Sequence, residues 1–241
     1  MNRINAVQRA LNGRQRSVYL EIGVSSGKAF RHIAAEEKIA VDPALALSAR
    51  TRKRAGAKAS ATHYFETSSD AFFANEPVFL KQRGIDVAFI DGLHTYRQVK
   101  RDVENTLRYL RDDGVIFIHD CNPTRASIAC PAGSYADFRA RHRWWEISWG
   151  ITTSGTLAAL WSGDVWKAIV EFRSTRGDLR IAVLDCDFGV GVIRRGAPNS
   201  LLPYSAARIE TFDYSDLAAD RNRLLNLRPP SYLEEFLTLE R

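Results

Sequence analysis

The sequence predicts a doubly wound α/β fold, in which helices cover both faces of a mostly parallel sheet. Between residues 17 and 120, short apolar runs alternate with helical patterns, and this order is typical of a parallel sheet. Near the end of the chain, LRIAVLDCDFGVGVIRR contains two apolar runs around an Asp-Phe-Gly turn, which predicts an antiparallel hairpin that closes the sheet. The length agrees, because 241 residues with 45% hydrophobic content suffice for one large core.

Five elements are predicted before residue 60. Ile4, Val7 and Leu11 have helical spacing, and the run SVYLEI after them predicts a buried strand. The stretch GVSSGKAFRHIAAEE then predicts a helix. Pro43 ends a second strand, KIAV, and a basic helical stretch that ends in RTRKRAGAK follows.

Five more elements are predicted up to residue 120. The weak strand HYF precedes a helix that begins in SSDAFF, with Ser68 or Ser69 as its N-cap. IDVAFI is a clear strand. A stripe of four aliphatic residues predicts a helix over 95–111, ended by Gly114, and VIFI is the next strand.

Helices are predicted again in the last third of the chain. The pattern over 165–172 predicts a helix before the hairpin. Two further helices, over 217–227 and 232–239, are separated by Pro229-Pro230 and are expected to pack outside the sheet.

Composition narrows the class of protein. We expect one domain over 1–241, with a core at about 15–195 and a C-terminal helical extension at 196–241. Three widely spaced cysteines exclude a disulfide scaffold. The chain has no signal-peptide core and no apolar run of about 20 residues, so we expect a cytoplasmic protein without a membrane partner. The net charge of +6 leaves a nucleic-acid partner open.

Acidic and hydrogen-bonding residues follow the predicted parallel strands. Ligands of such sheets bind beyond the carboxyl ends of the strands, so these residues are expected to share one rim. They are Glu21, Gly23, Ser25, Gly27, Asp42, Ser68, Asp91, His94, His119, Asp120 and Asn122. This convergence is the strongest functional signal in the sequence.

The first strand is followed by the pattern E-x-G-x-x-x-G, which holds Glu21, Gly23 and Gly27. Its glycines let backbone amides approach a ligand, or simply form a tight turn. The pattern differs from the dinucleotide fingerprint, because a carboxylate stands where that fingerprint has its first glycine. Asp42 has the position of a ribose-binding carboxylate. Together these residues favour a positively charged nucleoside ligand, a description that S-adenosylmethionine fits.

The chain resembles class I S-adenosylmethionine-dependent methyltransferases in five segments, which are YLEIGVSSGKAF, VDP, TSSDAFF, IDGLHTYRQVKRDVENTLRYLRDDGVIFIHDCNP and GDVWKAIVEFR. It is most similar to the small bacterial group that includes sugar O-methyltransferases, and the resemblance runs from about Ser17 to Arg194. The resemblance implies a Rossmann-like sheet of seven strands with the last strand antiparallel.

The resemblance also implies where S-adenosylmethionine would bind. The residues expected to contact this cofactor are Glu21, Gly23, Ser25 and Gly27 at the methionine end, Asp42 at the ribose, Ser68 near adenine and Asp91 beside the methyl group.

His94 is the candidate catalytic base. It follows the strand end at Asp91 by three residues, and an imidazole with a pKa near 6.5 can take a proton from an acceptor hydroxyl. The alternative is a histidine that only caps or packs the following helix. Asp91 and Asp120 are the candidate acidic residues beside it, whereas His119 is expected to be structural.

A metal site is a second interpretation of the same rim. Asp91 and Asp120, with Asn122 as a third oxygen ligand, could hold Mg²⁺ and lower the pKa of the acceptor hydroxyl. The catechol-type pattern has an Asp-Asn pair at the second position, but in this chain Cys121 separates the two residues. The metal requirement stays open.

The segment over 139–149, RARHRWWEISW, mixes arginine with tryptophan. Such a surface could contact the acceptor, pack as a small core or stack nucleic-acid bases. The stretch RTRKRAGAK is expected to be a solvated helix face, and Trp161 and Trp166 are expected to lie in the core.

The sequence thus predicts an S-adenosylmethionine-dependent enzyme that methylates the hydroxyl group of a sugar or another small acceptor. The expected partner is a small molecule or a glycan, nucleic acid is disfavoured, and a homo-oligomer is left open. Two alternatives remain. One is an RNA methyltransferase, which the net charge permits, and the other is a non-catalytic nucleoside-binding protein with the same fold.

Overall fold

A computed structural model describes residues 1–143, 146–147, 149–151 and 157–238. Within these ranges the strands are β1 (Val18–Ile22), β2 (Glu37–Val41), β3 (Ala61–Phe65), β4 (Ile85–Ile90), β5 (Leu110–Ile118), β6 (Trp149–Ile151), β7 (Leu157–Ala159), β8 (Leu179–Leu184), β9 (Val190–Arg195) and β10 (Leu227–Arg228). The helices are α1 (Arg3–Leu11), α2 (Ala49–Gly56), α3 (Ser69–Asn75), α4 (Pro77–Arg83), α5 (Tyr96–Leu107), α6 (Tyr135–Arg141), α7 (Trp166–Thr175), α8 (Ala206–Glu210), α9 (Tyr214–Leu225) and α10 (Tyr232–Thr238).

Eight of the strands form one mixed sheet in the order β10-β8-β9-β5-β4-β1-β2-β3. The strands from β3 to β5 pair in parallel, whereas β9 pairs antiparallel with both β5 and β8. The predicted doubly wound fold and its C-terminal hairpin are therefore confirmed. The sheet has one strand more than the resemblance implies, because the short β10 adds to β8 at the edge. The strands β6 and β7 form a separate two-stranded hairpin.

Hydrophobic layers lie on both faces of this sheet. On one face, α1, α10 and the loop after β1 bury side chains such as Phe30 against Phe117. On the other face, α3, α5, α7 and α9 bury side chains such as Val103 and Trp166. Burying each such side chain contributes about 1.5–3 kcal/mol. The two layers hold the parallel strands rigidly, so that their carboxyl ends form a fixed rim.

The segment after β1 is not the helix that the sequence predicts. Residues 25–32 form successive turns, because Ser25 at φ 47° and Gly27 at φ +72° both have left-handed backbone. The Asp42 carboxylate accepts a hydrogen bond from the Ser25 backbone N–H at 2.7 Å, which holds this conformation from a second strand end. The apolar positions are still buried, since Phe30 and Ile33 are both 0% exposed.

The boundary between α5 and β5 also differs from the prediction. The helix ends at Leu107 and the strand already begins at Leu110, so Gly114 lies inside the strand and does not end the helix. Leu110 pairs with Ile85 of β4, and this tertiary pairing overrides its helical spacing. Helix α4 was not predicted, although it begins with Pro77 at a position where helices tolerate proline.

None of the helices in the described ranges is long and apolar enough to cross a membrane. The expected core positions of Trp161 and Trp166 are confirmed, at 7% and 1% exposure. The Arg/Trp segment begins within α6, but Trp144, Trp145 and Ser148 lie outside the described residues, as does Leu239 at the end of the last predicted helix. The role of that segment stays a prediction.

Candidate active site

The carboxyl ends of β1, β2 and β4 border a cavity of about 380 Å³, which we call the acidic pocket. Its wall includes four carboxylates, and no Lys or Arg of the described chain lines it. The carboxylates belong to Asp42, Asp70, Asp91 and Asp102. Among the predicted cofactor residues, those that line it are Gly23, Ser25, Asp42, Ser68 and Asp91. Such a pocket favours a cationic ligand.

Gly23 and Asp42 form the part of the acidic pocket next to β1 and β2. Gly23 has φ +86°, and a Cβ at this position would lie 2.0 Å from the Asp91 carbonyl oxygen, so only glycine fits. The Asp42 carboxylate accepts hydrogen bonds from the backbone N–H groups of Ser25 and Ala44, each at 2.7 Å. Each carboxylate oxygen keeps a further lone pair for a ligand hydroxyl, which suits the predicted ribose contact.

Two predicted cofactor residues do not line the acidic pocket. Gly27 packs against Leu47, whose side chain would lie 2.5 Å from an added Cβ. Glu21 is 2% exposed and accepts a hydrogen bond from the Tyr19 hydroxyl at 2.5 Å. Burial raises the pKa of Glu21 to about 8, so the neutral carboxyl predominates at pH 7. Contact of these two residues with a cofactor stays a prediction.

The helices α3 and α5 contribute polar groups to the acidic pocket. The Ser68 hydroxyl accepts a hydrogen bond from the Ala71 N–H at 3.2 Å, so Ser68 is the N-cap of α3. Asp102 on α5 is 0% exposed, and its Oδ1 accepts a hydrogen bond from Gln98 at 3.0 Å. Its Oδ2 has no hydrogen-bond partner by distance and angle among the described residues, although the neighbouring Ser69 hydroxyl also acts on this carboxyl and lowers its pKa. Burial raises the pKa of Asp102 to about 6. A buried acceptor without a partner beside a cavity indicates a place for a ligand donor.

Asp91, His94 and Asp120 form a compact cluster at the ends of β4 and β5, as the sequence predicts. One ligand atom of each lies within 4.8 Å of the others. Nε2 of His94 is 3.4 Å from Oδ1 of Asp91 and 3.5 Å from Oδ2 of Asp120. Asp120 has φ 61°, a left-handed backbone that is uncommon for a non-glycine residue and often marks a functional site.

The orientation of the His94 ring is fixed by a backbone group. Nδ1 lies 2.8 Å from the Trp161 carbonyl oxygen, and because a carbonyl only accepts, Nδ1 carries a proton and Nε2 faces the two carboxylates. Burial alone would lower the pKa of His94, but the neighbouring Asp120 and Asp91 outweigh it and raise this pKa to about 9. The cluster by itself therefore holds a second proton on Nε2 at neutral pH.

His119 also contacts both carboxylates of the cluster. Its Nδ1 is 2.9 Å from Asp120 and 3.3 Å from Asp91, while its Nε2 lies 2.9 Å from the Arg3 guanidinium. Burial alone would raise the pKa of Asp91 and of Asp120, but contacts with His119 and His94 lower both. His119 thus keeps the two carboxylates ionised and in place.

Asn122, the expected third oxygen ligand, has hydrogen-bond partners outside the cluster, and its role as a metal ligand stays a prediction. Its Oδ1 accepts a hydrogen bond from the Arg221 guanidinium, and its Nδ2 donates to Asp185 at 3.1 Å. One lone pair of the amide oxygen is therefore already used. The donors that remain for a metal are carboxylate oxygens of Asp91 and Asp120 together with Nε2 of His94.

The loop over 161–164 was not predicted, and it contacts the cluster although it lies about 40 residues after Asp120 in the chain. The hydroxyl of Ser162 donates a hydrogen bond to Asp120 at 2.6 Å. Gly163 has φ +57°, and a Cβ there would lie 1.9 Å from the His94 carbonyl oxygen. Next to it, Asp164 accepts a hydrogen bond from the Tyr96 N–H at 2.7 Å, at the first residue of α5. The only signal for this loop was a Ser-Gly-Asp turn before a helix.

Residues 20–121 match the model of a protein family described as a methyltransferase domain. The matched stretch runs from β1 to the end of β5, and it contains the acidic pocket and the Asp91–His94–Asp120 cluster. A comparison with curated proteins finds no match.

Comparison with solved structures gives distant similarities. The chain is 14% identical to CalS11, a TDP-rhamnose 3'-O-methyltransferase of calicheamicin biosynthesis, covering 65% of this chain and 76% of that one with a TM-score of 0.39. For the DhpI–SAH complex the identity is 15%, the coverage 80% and 83%, and the TM-score 0.42. For the MycE methyltransferase of mycinamycin biosynthesis, with Mg and SAH, the identity is 15%, the coverage 83% and 50%, and the TM-score 0.44.

The family match and the strand order agree with the resemblance found in the sequence. Residues 20–121 thus match a methyltransferase-domain family, and the mixed sheet with its antiparallel β9 is the Rossmann-like fold that the resemblance to class I methyltransferases implies.

Proposed function

We propose that the protein transfers the methyl group of S-adenosylmethionine to the hydroxyl group of a sugar or another small acceptor. The observation that supports this most strongly is that Asp91 belongs both to the acidic pocket and to the cluster with His94 and Asp120. A cofactor in the pocket and a proton-accepting group would thus meet at one carboxylate. The main contributions of the protein would be proximity and orientation.

The acidic pocket fits S-adenosylmethionine in its polar groups and its charge. Asp42, held by two backbone N–H groups, would accept hydrogen bonds from the ribose hydroxyls. The buried Oδ2 of Asp102, which has no hydrogen-bond partner within the described ranges, would accept one from the adenine amino group. Asp91 and Asp70 add negative charge that balances a cationic ligand. The cofactor supplies a methyl group on a sulfonium that is already reactive.

His94 would take up the proton of the acceptor hydroxyl at Nε2. The Trp161 carbonyl holds Nδ1, so Nε2 is the ring atom that is directed at Asp91 and Asp120. A positive charge placed next to these carboxylates would weaken the attraction that keeps Nε2 protonated. Such a charge is available from a cationic cofactor or from a divalent cation.

The same cluster would hold a divalent cation. Two carboxylate oxygens, from Asp91 and Asp120, suit Mg²⁺, which keeps water in its remaining positions, so Nε2 of His94 stays free to take up the proton. When bound, the cation would lower the pKa of the acceptor hydroxyl. Asn122 is not included in this proposal, because Arg221 occupies its amide oxygen.

We also propose that residues 1–241 work as one domain. The helix α9 buries Leu217 and Leu224 in the hydrophobic layer that contains α5. The helix α10 buries Leu233 and Phe236 in the layer on the opposite face. The C-terminal extension therefore completes both layers, and its removal should expose both.

Transfer of tritium from methyl-labelled S-adenosylmethionine tests the reaction class. The panel contains neutral and anionic sugars, small phenols and RNA, each with Mg²⁺ or with a chelator. We expect the label to appear on a small hydroxylated acceptor. Label on RNA alone would assign the RNA methyltransferase alternative, and bound cofactor without any transfer would favour the non-catalytic one.

A further inference from the structure

A second cavity, of about 600 Å³, lies beside the acidic pocket, and we call it the basic pocket. Four cationic side chains line it against two carboxylates, Asp164 and Glu210. The cations are Arg97 and Arg101 of α5, Arg141 of α6 and Lys167 of α7. The charge of this lining is opposite to that of the acidic pocket.

The basic pocket adjoins the methyl-transfer site. Leu93 and Gln98 line both cavities, and Thr95, the residue after His94, lines the basic one. Asp164, also in its wall, follows Gly163, which lies directly against the His94 backbone. A molecule in the basic pocket would therefore contact the two residues that flank His94 in the chain, and Leu93 would stand between it and the acidic pocket.

Lys167 is the cation that is most deeply placed in this wall. Its side chain is 8% exposed, its ammonium donates a hydrogen bond to the Glu210 carbonyl at 3.2 Å, and it lies 3.9 Å from Asp164. An ammonium has three donors, and the contacts found within the described ranges account for one hydrogen bond. A buried ammonium with spare donors favours an anionic ligand.

The three arginines are paired only at the surface. Arg97 lies 3.0 Å from Glu210, Arg101 lies 3.4 Å from Asp70, and Arg141 lies 2.5 Å from Asp137. These arginine side chains are 51% to 74% exposed, and exposed ion pairs of this kind contribute little, about 0–1 kcal/mol. A ligand anion can therefore replace these partners. The amino-terminal end of α5 adds the positive end of the dipole of a 12-residue helix, where Asp164 accepts the hydrogen bond of the Tyr96 N–H alone.

We propose that the basic pocket binds the methyl acceptor and that this acceptor carries an anionic group, a phosphate or a carboxylate, held by Lys167 with the arginines around it. The inference rests on the proposed function, because it names the substrate class for the same reaction. Lys167 also borders a third cavity of about 420 Å³ with apolar walls that include Trp166 and Phe212. An acceptor with its anion at Lys167 thus has room for an apolar portion on the side away from α5.

Calorimetric titration with matched sugars tests the proposal without any turnover. The probes are α-D-glucose 1-phosphate, D-glucuronate and inorganic phosphate, and D-glucose is the neutral match. We expect at least one anionic probe to bind about tenfold or more tightly than glucose, in a salt-dependent manner, since charge-assisted hydrogen bonds contribute about 1.5–3 kcal/mol each. Tighter binding of the phosphates assigns the anion as phosphate, and tighter binding of glucuronate assigns it as carboxylate.

Substitutions in the wall of the basic pocket test whether the anionic probes bind there. Lys167→Met keeps the length of the buried side chain and should weaken the preferred anion about tenfold. Arg141→Gln, at an exposed position, should weaken it by a smaller factor and serves if the first variant does not fold. Lys53→Met, on the exposed face of α2, is the matched control and should leave binding unchanged.

The outcomes separate this proposal from the proposed function. S-adenosylhomocysteine is titrated into the same variants, and its affinity should not change in Lys167→Met or Arg141→Gln. If no anionic probe binds more tightly than glucose, or if both substitutions leave the preferred anion unaffected, the anionic acceptor is excluded while the cofactor site stands. If wild-type protein binds the anions but not S-adenosylhomocysteine, the proposed function fails and the basic pocket is an anion site of another kind.

Discussion

The acidic and basic pockets share Leu93 and Gln98, yet their linings have opposite charge. One is lined by four carboxylates, and the other by four cations against two carboxylates. The helix α5 contributes to both, with Asp102 in the acidic pocket and Arg97 and Arg101 in the basic one. The net charge of +6 therefore says little about the ligand. What matters is its local distribution, which suits a cationic cofactor beside an anionic acceptor.

The largest effect is expected at the boundary between the two pockets. His94→Ala removes the proposed proton acceptor and should lower turnover about 10²–10⁴-fold without changing S-adenosylhomocysteine affinity by more than a small factor. The measurement is tritium transfer to whichever acceptor of the panel is methylated. His32→Ala, at an exposed position, is the control. Full turnover by the His94 variant at pH 7 would exclude His94 as the base.

The next largest effect is expected on ligand binding in the acidic pocket alone. Asp42→Ala removes the carboxylate that would hold the ribose, and two charge-assisted hydrogen bonds lost at about 1.5–3 kcal/mol each predict S-adenosylhomocysteine binding weaker by a factor of about 100 or more. Binding of anionic sugars to the basic pocket should not change. Asp112→Ala, at an exposed position, is the matched control. An unchanged cofactor affinity would contradict the ribose assignment.

Asp102→Asn should change which nucleoside base the acidic pocket prefers. The wild-type carboxylate should prefer S-adenosylhomocysteine to its 6-oxo analogue S-inosylhomocysteine. An asparagine amide donates a hydrogen bond to a 6-oxo group, so the variant should bind the analogue as well as or better than the adenine form, a change of about tenfold in the ratio. Asp70→Asn, in the same wall but exposed, should keep the wild-type preference.

The same substitution should stabilise the protein in a pH-dependent way. The pKa of Asp102 is about 6 in the folded chain against about 3.9 for an ordinary aspartate. The folded state thus binds the proton of Asp102 more tightly than the unfolded state does. The free energy that folding loses by burying the ionised carboxylate is absent below pH 4 and complete above pH 6. Asp102→Asn removes the charge, and it should raise the free energy of unfolding by about 2–3 kcal/mol at pH 7.5 and by almost nothing at pH 4. Thermal unfolding at the two pH values measures this, and equal effects at both would contradict a buried charge as the cause.

The smallest effect concerns the loop that supports the cluster. Ser162→Ala removes the hydrogen bond to Asp120, and because Ser162 would act on the reaction only through this carboxylate, turnover should fall about fivefold with no change in cofactor affinity. Ser60→Ala, at an exposed position before β3, is the control. A loss as large as that of His94→Ala would mean that the loop positions more than this one carboxylate.

The sequence was sufficient for the sheet because each central strand is a short apolar run that is buried on both faces. It failed where contacts between distant segments decide the conformation. The turns after β1 depend on the hydrogen bond from Ser25 to Asp42, and the end of α5 depends on the pairing of Leu110 with Ile85. Helical periodicity carries no information about either contact.

The site was predictable to the extent that it follows strand ends. Asp42, Asp91, His94 and Asp120 each stand at or just after a strand, and the fold brings these strand ends to one rim. The hydrogen bond from Ser162 to Asp120 joins residues that are distant in the chain. The hydrogen bond from Arg221 of α9 to the amide oxygen of Asn122 is equally distant. The basic pocket as a whole was also missed, because its cations lie on three different helices, and only Arg141 belongs to the Arg/Trp segment for which the sequence suggests acceptor contact.

The central claim is that the acidic pocket binds an S-adenosyl nucleoside. Calorimetric titration of S-adenosylhomocysteine into the wild-type protein, with and without Mg²⁺, tests it most directly. We predict saturable binding with one site per chain, weakened by Asp42→Ala and unchanged in Asp112→Ala. Absence of binding to folded wild-type protein under both conditions would contradict the claim.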